Sequence, residues 1–407
     1  MNILIITHYF WPESYRINDL AVSLIQCGHQ VTVITNIPNY PDGYFFKGYG
    51  IFKKNVEIYN GVRIIRVPLI PRGKQGALRL ALSYLSSAFS ASGIVLFLVK
   101  NRFDLVFVFQ PSPVTTGLPA MLMKKLCRIP IFLWVQDVWP ETLSATGMVK
   151  SKTILKTVEY LVKIIYRGCD RLLIQSEAFE PCLKRLGVPA DRIRYFPNSA
   201  EALYAPMEIE SDAPERSTMP DGFRIMFAGN IGKAQDFPTI LTAAERLKKH
   251  KDIHWIILGD GSMRAWVEDE IKSRGLEVTV HLLGRHPVTT MPRFFSLADV
   301  LLVTLKKEKI FSLTIPSKVQ SYLACAKPIL AAIDGEGARI IEESGGGMAV
   351  PAGDARALAK KVLTMYQLPK TELTKMGKRG EKYFCGHFNR DVLLDKLNIW
   401  ITEGAAK

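Results

Sequence analysis

The sequence lacks the paired cysteines that zinc and redox sites usually need. Its six cysteines lie far apart in the 407 residues, and no Cys-x-x-Cys pair occurs. This spacing argues against zinc-ribbon and thioredoxin-like interpretations. It favours small buried cysteines in a reducing compartment, which predicts a cytoplasmic protein.

Several catalytic motifs are missing as well. No Asp-x-Asp pair is present, so we predict no Mg²⁺ or Mn²⁺ site and no other bound cofactor. No Gly-x-Ser-x-Gly elbow is present, and no nucleic-acid-binding module is recognisable, so nucleic acid is not an expected partner. The N-terminus has no basic region before its apolar run, which predicts a strand and not a signal peptide.

The composition is that of a globular protein with an uneven charge. Hydrophobic residues make up 48% and charged residues 22%, and the length predicts two domains. The net charge is +15, and residues 1–200 hold 24 Lys and Arg against 12 Asp and Glu, a net +12. A basic first half by itself indicates an anionic partner, which could be phospholipid, a pyrophosphate-bearing acceptor or nucleic acid. The alternative is a solvated surface of unselected charge.

Apolar strands alternate with amphipathic helices along most of the chain. The first half predicts strands at 2–9, 30–35, 104–110, 130–137 and 171–176, with helices near 15–27, 114–127, 153–167 and 177–186. Several of these strands are apolar on both faces, which is typical of a parallel sheet covered by helices. The pattern predicts a doubly wound α/β domain over residues 1–204.

A second α/β domain follows a break in the pattern. Residues 205–222 are rich in proline and acidic residues and predict a linker. Strands at 223–229, 253–261, 278–284, 298–305 and 328–333 then predict a Rossmann-like domain over 223–385. Residues 386–407 predict a terminal helix that could cross back to the first domain. Because ligands bind outside the carboxyl ends of such strands, we expect the active site in the cleft between the domains.

Two segments of the second domain suggest anion binding. After the strand that ends at Gly229, a tight loop carries Asn230, Gly232 and Lys233, where the glycines admit close backbone approach and the lysine supplies charge. A strand–helix turn with a chance lysine is the alternative. In the second segment, Pro316, Ser317 and Lys318 begin a helix, where free N–H groups favour phosphate. Simple capping by Ser317 is the alternative there.

Other strand ends carry further polar residues and glycines. Glu336 lies between Gly335 and Gly337, and Gly284 precedes Arg285. In the first domain, Glu13 and Asp137 follow strands, where a carboxylate could orient an acceptor hydroxyl or accept its proton. Capping of the following helix is the competing role for Asp137.

Two segments of the basic half suit a membrane surface. Residues 77–99 carry one charge, Arg79, and predict a buried or membrane-surface helix more readily than a membrane span. Residues 44–54 interleave aromatic and basic residues, which suits an interfacial contact or an ordinary loop. We therefore expect a protein that is peripheral on an anionic membrane surface.

The sequence resembles glycosyltransferase family 4, in particular its WbuB-like branch, which includes L-fucosamine transferases of O-antigen and capsule assembly. The resemblance covers nearly the whole chain. The matching segments are HYFWPES (8–14), GHQVTVIT (28–35), PNYPDG (38–43), QDVWPE (136–141), FPNS (196–199), AGNIGKAQ (228–235), LGDG (258–261), LGR (283–285), IPSK (315–318) and AKPILAAIDGEGA (326–338).

The resemblance implies the GT-B architecture, with a UDP-sugar in the second domain and a polyprenyl-diphosphate-linked sugar acceptor in the first. It implies a retaining, metal-independent transfer of a hexosamine-type sugar, with N-acetyl-L-fucosamine as a candidate, on the inner face of the cytoplasmic membrane.

By position, the resemblance assigns roles to individual residues. Gly232 and Lys233 would bind the diphosphate with Ser317 and Lys318, Gly284 and Arg285 would flank the base, and Glu336 would approach the donor sugar. Glu13 and Asp137 would face the acceptor. The donor-binding set further includes Gly229, Asn230, Pro316, Ser321, Gly335 and Gly337.

The sequence departs from the family pattern at three positions. Leu313 and Ser321 occupy the positions of the usual Glu-x7-Glu pair, so the ribose has no carboxylate at that point. Gln136 stands where many relatives have histidine. Two alternatives remain open: a non-catalytic UDP-sugar-binding subunit of a membrane assembly complex, and a UDP-sugar 2-epimerase. A nicotinamide-dependent oxidoreductase is disfavoured because no dinucleotide fingerprint follows a strand.

Overall fold

A computed structural model describes residues 1–73, 76–145, 149 and 151–405. The chain divides into two compact units. The first comprises residues 1–197 together with the chain from Leu394 onward, and the second comprises residues 198–393. The first continuous stretch therefore ends at Pro197, before the boundary that the sequence predicts at residue 204.

The first unit is built on one eight-stranded sheet. Its strands are β1 (Asn2–Thr7), β2 (Gln30–Asn36), β3 (Val56–Tyr59), β4 (Val62–Val67), β5 (Leu105–Gln110), β6 (Ile131–Val135), β7 (Arg171–Ile174) and β8 (Ile193–Tyr195). The strand order is β3-β4-β2-β1-β5-β6-β7-β8, and only the β3–β4 pair is antiparallel. The order reverses between β1 and β5, where a doubly wound sheet leaves a crevice for ligands.

Helices cover both faces of this sheet. They are α1 (Arg16–Gln26), α2 (Ala77–Leu98), α3 (Gly117–Cys127), α4 (Glu141–Ala145), α5 (Lys152–Gly168) and α6 (Glu180–Arg185). Every residue of β5 and β6 is buried, as expected for central parallel strands with helices on each side. The amphipathic helix α5 buries Val162, Ile165 and Tyr166 and leaves Tyr160 exposed.

The second unit contains a six-stranded sheet. Its strands are β9 (Phe223–Ala228), β10 (Ile253–Leu258), β11 (Val280–Gly284), β12 (Val300–Thr304), β13 (Ile329–Ala332) and β14 (Gly347–Val350). All neighbouring pairs are parallel, in the order β11-β10-β9-β12-β13-β14. Counted from the first strand of the unit, this is the 3-2-1-4-5-6 order of a Rossmann fold, with its reversal between β9 and β12. The predicted doubly wound fold is confirmed.

The helices of the second unit enclose two apolar cores. They are α7 (Pro214–Ser217), α8 (Phe237–Arg246), α9 (Arg264–Ser273), α10 (Met291–Leu297), α11 (Lys309–Ser312), α12 (Ser317–Ala324), α13 (Glu336–Glu343), α14 (Ala355–Gln367) and α15 (Lys370–His387). One core contains Trp255 and Phe237, and the other contains Tyr322 and Phe294. Because alternate residues of β10 enter different cores, this strand is buried on both faces.

The segment predicted as a linker, residues 205–222, belongs to the second unit. It contains the short helix α7, whose Glu215 forms an ion pair with Arg293 of α10 at 2.8 Å. The proline- and acid-rich composition marks an irregular segment but does not reveal this contact, because the two partners are far apart in sequence.

The last helix, α16 (Arg390–Ala405), packs against the first unit from Leu394 onward. Asn398 Oδ1 lies 3.2 Å from His29 Nε2, and the rings of Trp400 and Phe196 are 6.1 Å apart. The C-terminal residues 386–407 therefore include a helix that returns to the first sheet.

Candidate functional site

In the second unit, the strand order reverses between β9 and β12, and the loops that follow these two strands are hydrogen-bonded to each other. The Thr304 hydroxyl at the end of β12 donates to the carbonyl of Gln235 at 2.5 Å, and the Lys306 N–H donates to the carbonyl of Ala234 at 2.9 Å. The loop after β9 is thus fixed over the carboxyl end of β12. This is the edge of a doubly wound sheet at which ligands bind.

Three glycines line this edge side by side. The Gly229 N–H donates to the Leu258 carbonyl at 2.8 Å, and the Gly259 N–H donates to the Gly284 carbonyl at 2.7 Å. Gly259 has φ +140°, and a Cβ added there would lie 1.8 Å from the Gly229 oxygen. No side chain fits at this position, so the edge presents bare backbone, which lets a ligand approach closely. The candidate residues Gly229 and Gly284 are therefore neighbours through Gly259.

Lys318, in the first turn of α12, lies against the same glycines. Its Nζ is 3.5 Å from the centre of the Phe227 ring, and a Cβ added at Gly229 would lie 2.7 Å from its Cε. Within the described part of the chain no carboxylate forms an ion pair with Lys318, and burial lowers its pKa to about 7. A lysine held without a counter-ion beside bare backbone and a helix N-terminus is arranged to meet an anion.

The other candidates of this loop are more exposed. Lys233 and Asn230 are exposed, and Gly232 is buried between them, with the Asn230 side chain 2.4 Å from where its Cβ would lie. Arg285 is also exposed, directly after Gly284 at φ +77°. These residues surround the glycine edge, but only Lys318 is half-buried against it.

Ser317 and Ser321 lie one turn apart on α12. Ser317 is exposed at the first helical position, and no side-chain cap forms at this helix end. The largely buried Ser321 hydroxyl donates to the Ser317 carbonyl at 3.2 Å. Capping by Ser317 is therefore not its role here, and its hydroxyl is available to a ligand.

The Gly335–Gly337 loop packs tightly against the start of α12. A Cβ at Gly337 would lie 2.9 Å from Pro316 Cδ, and one at Gly335, at φ +73°, would lie 2.1 Å from the Ser312 oxygen. Glu336 is only 6% exposed, and its carboxylate binds the Arg339 guanidinium through two contacts of 2.8 and 3.0 Å. The Glu336 carboxylate is therefore held by Arg339.

In the first unit, Asp137 follows β6 and accepts two side-chain hydrogen bonds. The donors are the Thr142 hydroxyl and Trp139 Nε1, the latter at 3.2 Å. Burial raises the pKa of Asp137 to about 6, and the nearby Glu141 carboxylate adds to this effect. A carboxylate with a pKa near neutrality is suited to accept a proton. Asp137 also contacts Thr142 of α4, so it has a capping role as well.

Glu13 is buried and supports a loop. Its Oε1 accepts the backbone N–H groups of Asn39 and Tyr40 at 2.9 and 2.8 Å, and burial raises its pKa. Glu13, which the sequence predicts to face the acceptor, therefore uses its carboxylate to hold the loop that carries Tyr40.

A cluster of four tyrosines and one arginine lies beside the strand reversal of the first unit. We call Tyr9, Tyr15, Tyr40, Tyr84 and Arg72 the tyrosine cluster. The Tyr9 and Tyr15 rings are stacked at 4.8 Å, and the Tyr9 and Tyr40 rings are 5.4 Å apart. Arg72 Nη1 donates to the Tyr9 hydroxyl at 3.4 Å, and its guanidinium lies 5.2 Å from the centre of the Tyr40 ring.

Five residues of these sites are not predicted from the sequence: Arg72, Tyr15, Tyr40, Tyr84 and Gly259. Tyr84 hydrogen-bonds Ser112, just after β5. Burial raises the pKa of the Tyr84 phenol, and the Asp137 charge adds to this rise. Gly259 could be predicted from the Gly-Asp-Gly segment that directly follows β10. No pattern in the loop around Arg72 predicts a role for that residue.

Among the residues that the structure describes, no group of three His, Cys, Asp or Glu could hold a metal ion. Metal independence stays a prediction.

Two family models match the chain in succession. Residues 14–199 match the glycosyl transferase 4-like domain, and residues 210–383 match glycosyl transferases group 1. The chain is 32% identical over 275 residues to the probable glycosyltransferase WbjE of Pseudomonas aeruginosa, a match that covers 65% of this chain and 66% of WbjE. It is 24% identical to the putative colanic acid biosynthesis glycosyl transferase WcaI of Escherichia coli, over 80% of this chain and 81% of that protein.

Solved structures share the fold over the whole chain. Sucrose-phosphate synthase from Thermosynechococcus elongatus has a TM-score of 0.74 at 16% identity and covers 100% of this chain and 99% of its own. Anabaena HepE, solved in complex with UDP, has a TM-score of 0.72 at 13% identity and covers 99% and 100%. At these identities the likeness concerns the fold alone, and it confirms the GT-B architecture.

Proposed function

Because this chain is a glycosyltransferase that joins a 4-like domain to a group 1 domain, we propose that it transfers a hexosamine-type sugar from a UDP-sugar to a polyprenyl-diphosphate-linked saccharide. The transfer would serve surface polysaccharide assembly, in keeping with the colanic acid role in the name of WcaI. The observation that carries the proposal is Lys318, which lies against the glycine edge of the second sheet and forms no ion pair with any carboxylate that the structure describes.

The donor diphosphate is the ligand that suits this edge. The first N–H groups of α12 and the Lys318 ammonium would stabilise the charge that develops on the diphosphate as the sugar leaves. Lys233 would add a more exposed charge from the loop after β9. A phosphate beside Lys318 would raise its lowered pKa again, because an opposite charge favours the ammonium form. In this proposal these groups do the work that a metal ion does in other transferases.

UDP as the donor nucleotide is supported by likeness. HepE has been solved with UDP and with UDP-glucose. With Ser321 in place of a carboxylate, the ribose would be held by hydroxyl or backbone groups. N-acetyl-L-fucosamine as the sugar rests on the resemblance to the WbuB-like branch.

Asp137 is the proposed group for the acceptor hydroxyl. With a pKa of about 6, its carboxylate is ionised at neutral pH and can orient the hydroxyl or accept its proton. Retention of configuration follows from the family resemblance.

We also propose that the first unit binds the anionic inner face of the cytoplasmic membrane through α2. Of the described residues, the stretch Leu78–Asn101 is long and apolar enough to cross a bilayer, but a third of its apolar 18-residue window is buried in the protein. Its outer side carries a helical stripe of exposed apolar residues: Leu78, Leu82, Leu85, Phe89, Leu96 and Phe97. Such a stripe suits a helix that lies in the membrane–water interface, with its apolar side toward the lipid.

Basic residues lie at both ends of this stripe, and their charge favours contact with anionic lipid. Arg79 is exposed in the first turn of α2, and Lys100 and Arg102 are exposed just beyond its end. The sequence of α2 contains no acidic residue. Each basic residue near an anionic leaflet contributes about 1 kcal/mol.

Vesicle flotation of the full-length protein tests the membrane proposal. We expect binding to anionic but not to neutral vesicles, weakened by salt because screening shortens the attraction. The double variant Leu82→Ser/Phe89→Ser should float several-fold less, whereas Ile399→Ser, an exposed apolar change on α16, should float like the wild type. Equal flotation of all three proteins on anionic lipid would contradict the role of α2.

A donor screen with a synthetic polyprenyl-diphosphate sugar, read by mass spectrometry, tests the transfer itself. We expect a product one sugar heavier than the acceptor, formed from one UDP-hexosamine. Donor converted to an epimer without acceptor would indicate a 2-epimerase. UDP binding without any consumption of donor would indicate a non-catalytic subunit. Either result would overturn the proposal.

A further inference from the structure

Arg72 is a half-buried arginine of the first unit that makes few hydrogen bonds to the described residues. A guanidinium has five N–H donors, and among the described residues Arg72 uses them for one long hydrogen bond, 3.4 Å to the Tyr9 hydroxyl. By contrast, Arg66 binds Glu57 and two backbone carbonyls. Arg72 is half-buried in the tyrosine cluster, and no other described residue accepts a hydrogen bond from its remaining donors.

The surroundings of Arg72 belong to the strand reversal of the first sheet. Tyr9 follows β1 by two residues, and Tyr84 of α2 hydrogen-bonds Ser112, which follows β5 by two residues. β1 and β5 are the two strands between which the order reverses. A doubly wound sheet binds its ligand at this place. The guanidinium therefore lies where the ligand of the first unit is expected.

The tyrosine cluster contains one positive charge, that of Arg72, and the Glu13 and Asp137 carboxylates act on Tyr9 and Tyr84. Burial, with a smaller contribution from the Arg72 cation, lowers the pKa of His8 to about 3, so His8 is neutral and cannot compete for an anion. The nearby Glu13 carboxylate accepts the backbone N–H groups of Asn39 and Tyr40. An anionic group that enters the tyrosine cluster would find an unpaired guanidinium, which binds phosphate through two parallel hydrogen bonds.

The loop that carries Arg72 runs along the start of α2. The Ile70 N–H donates to the Ser86 hydroxyl at 2.9 Å, and Arg79 Nε donates to the Pro71 carbonyl at 3.0 Å. The exposed stripe of α2, which begins at Leu78, thus starts next to this loop. An apolar chain on the stripe would bring its polar head toward the tyrosine cluster.

We infer that Arg72 and the tyrosine cluster form the site for the diphosphate group of a prenyl-diphosphate-bearing acceptor, with the prenyl chain along α2. This inference rests on the proposed function for its ligand class. Arg72 would bind the diphosphate and so select lipid-linked acceptors over free saccharides. The tyrosines would supply flat surfaces and hydroxyl donors around it.

A binding experiment on the full-length protein tests this inference without the transfer reaction. Farnesyl diphosphate is titrated calorimetrically into protein saturated with UDP, so that the donor site is occupied. We expect binding by the wild type, at least about tenfold weaker binding by Arg72→Gln, and partial recovery in Arg72→Lys. Arg63→Gln, the same change at an exposed arginine of β4, should bind like the wild type. Farnesol, which lacks the diphosphate, should show no difference between wild type and Arg72→Gln.

The outcomes are separable from those of the transfer assay. No binding of farnesyl diphosphate by the wild type, or equal binding by wild type and Arg72→Gln, would overturn this site, even if sugar transfer is observed. Loss of binding in Arg72→Gln would support the site even if no donor in the screen is used. In that case the transfer proposal alone would fail.

Discussion

The two units present the same edge of the same kind of sheet, but the chemistry at that edge differs. At the reversal of the second sheet, Gly229, Gly259 and Lys318 leave bare backbone and one cation. At the reversal of the first sheet, tyrosines and Arg72 supply rings and charge, and the half-buried Asp137 follows the neighbouring strand β6. The fold thus fixes where a ligand binds, and the residues after each strand decide which one.

The difference is consistent with the two substrates that a glycosyltransferase needs. The donor diphosphate carries its charge on small oxygens, and at the glycine edge backbone N–H groups can come close to them. A lipid-linked acceptor presents sugar hydroxyls and apolar faces besides its diphosphate, so it favours aromatic rings and a carboxylate together with a guanidinium. The predictions below test this division, starting from the largest expected effect.

Lys318→Met should lower turnover of the UDP-sugar about 10²–10³-fold, because it removes one charge from the leaving diphosphate. The apolar methionine can still pack on the Phe227 ring, so the melting temperature should not fall. Steady-state kinetics and thermal unfolding measure the two effects. Lys378→Ala, an exposed lysine of α15, is the control and should behave like the wild type. Normal turnover in Lys318→Met would remove Lys318 from the donor site.

Asp137→Asn should lower turnover about a hundredfold, within the range for a lost proton acceptor. Since burial raises the pKa of Asp137 to about 6, wild-type activity should fall as the pH drops through about 6, where the carboxylate becomes protonated. A pH–rate profile should show this acid limb in the wild type and not in Asp137→Asn. The same acid limb in both proteins would assign the titration to another group.

Lys233→Ala should lower donor turnover about tenfold, or about 1.4 kcal/mol. The effect is smaller than at Lys318 because Lys233 is exposed and its charge is screened by water. Kinetics at two salt concentrations measure it, and the deficit should shrink at high salt. A larger loss than in Lys318→Met would reverse the order of the two lysines.

Chelation of metal ions should have the smallest effect. Activity should survive EDTA, because the proposal has lysines and a helix N-terminus stabilise the diphosphate in place of a cation. The measurement is turnover after EDTA treatment, with and without added Mg²⁺ or Mn²⁺. Activity that disappears with EDTA and returns with either ion would show that the donor site uses a metal.

The sequence predicts the central strands well and the outer strands poorly. β5 and β6 are short apolar runs buried on both faces, and such runs are visible without a structure. The strands β3, β4, β8 and β14 were not predicted. β3 is an edge strand with Val56 and Ile58 exposed, and β14 begins in a run of three glycines. At these edges the pairing partner, and not the local composition, decides the conformation.

The residues of the candidate sites also fall into two groups, those that the sequence predicts and those that it does not. Gly229, Gly284 and Lys318 could be predicted because they directly follow a strand or begin a helix. Arg72 could not, because its contact with Tyr9 joins residues 63 apart in sequence. The pairing of Glu336 with Arg339 was also not predicted, although it joins residues three apart on α13 and such i,i+3 pairs are visible in a sequence. Contacts between loops depend on the tertiary fold, and one sequence does not reveal them.

Calorimetric titration of UDP tests the division of chemistry between the two units most directly. The proteins are wild type, Lys318→Met and Asp137→Asn, all at full length. We expect UDP to bind Lys318→Met at least about tenfold more weakly than the wild type, and to bind Asp137→Asn with wild-type affinity. Unchanged UDP affinity in Lys318→Met together with a loss in Asp137→Asn would contradict the assignment of the donor to the second unit.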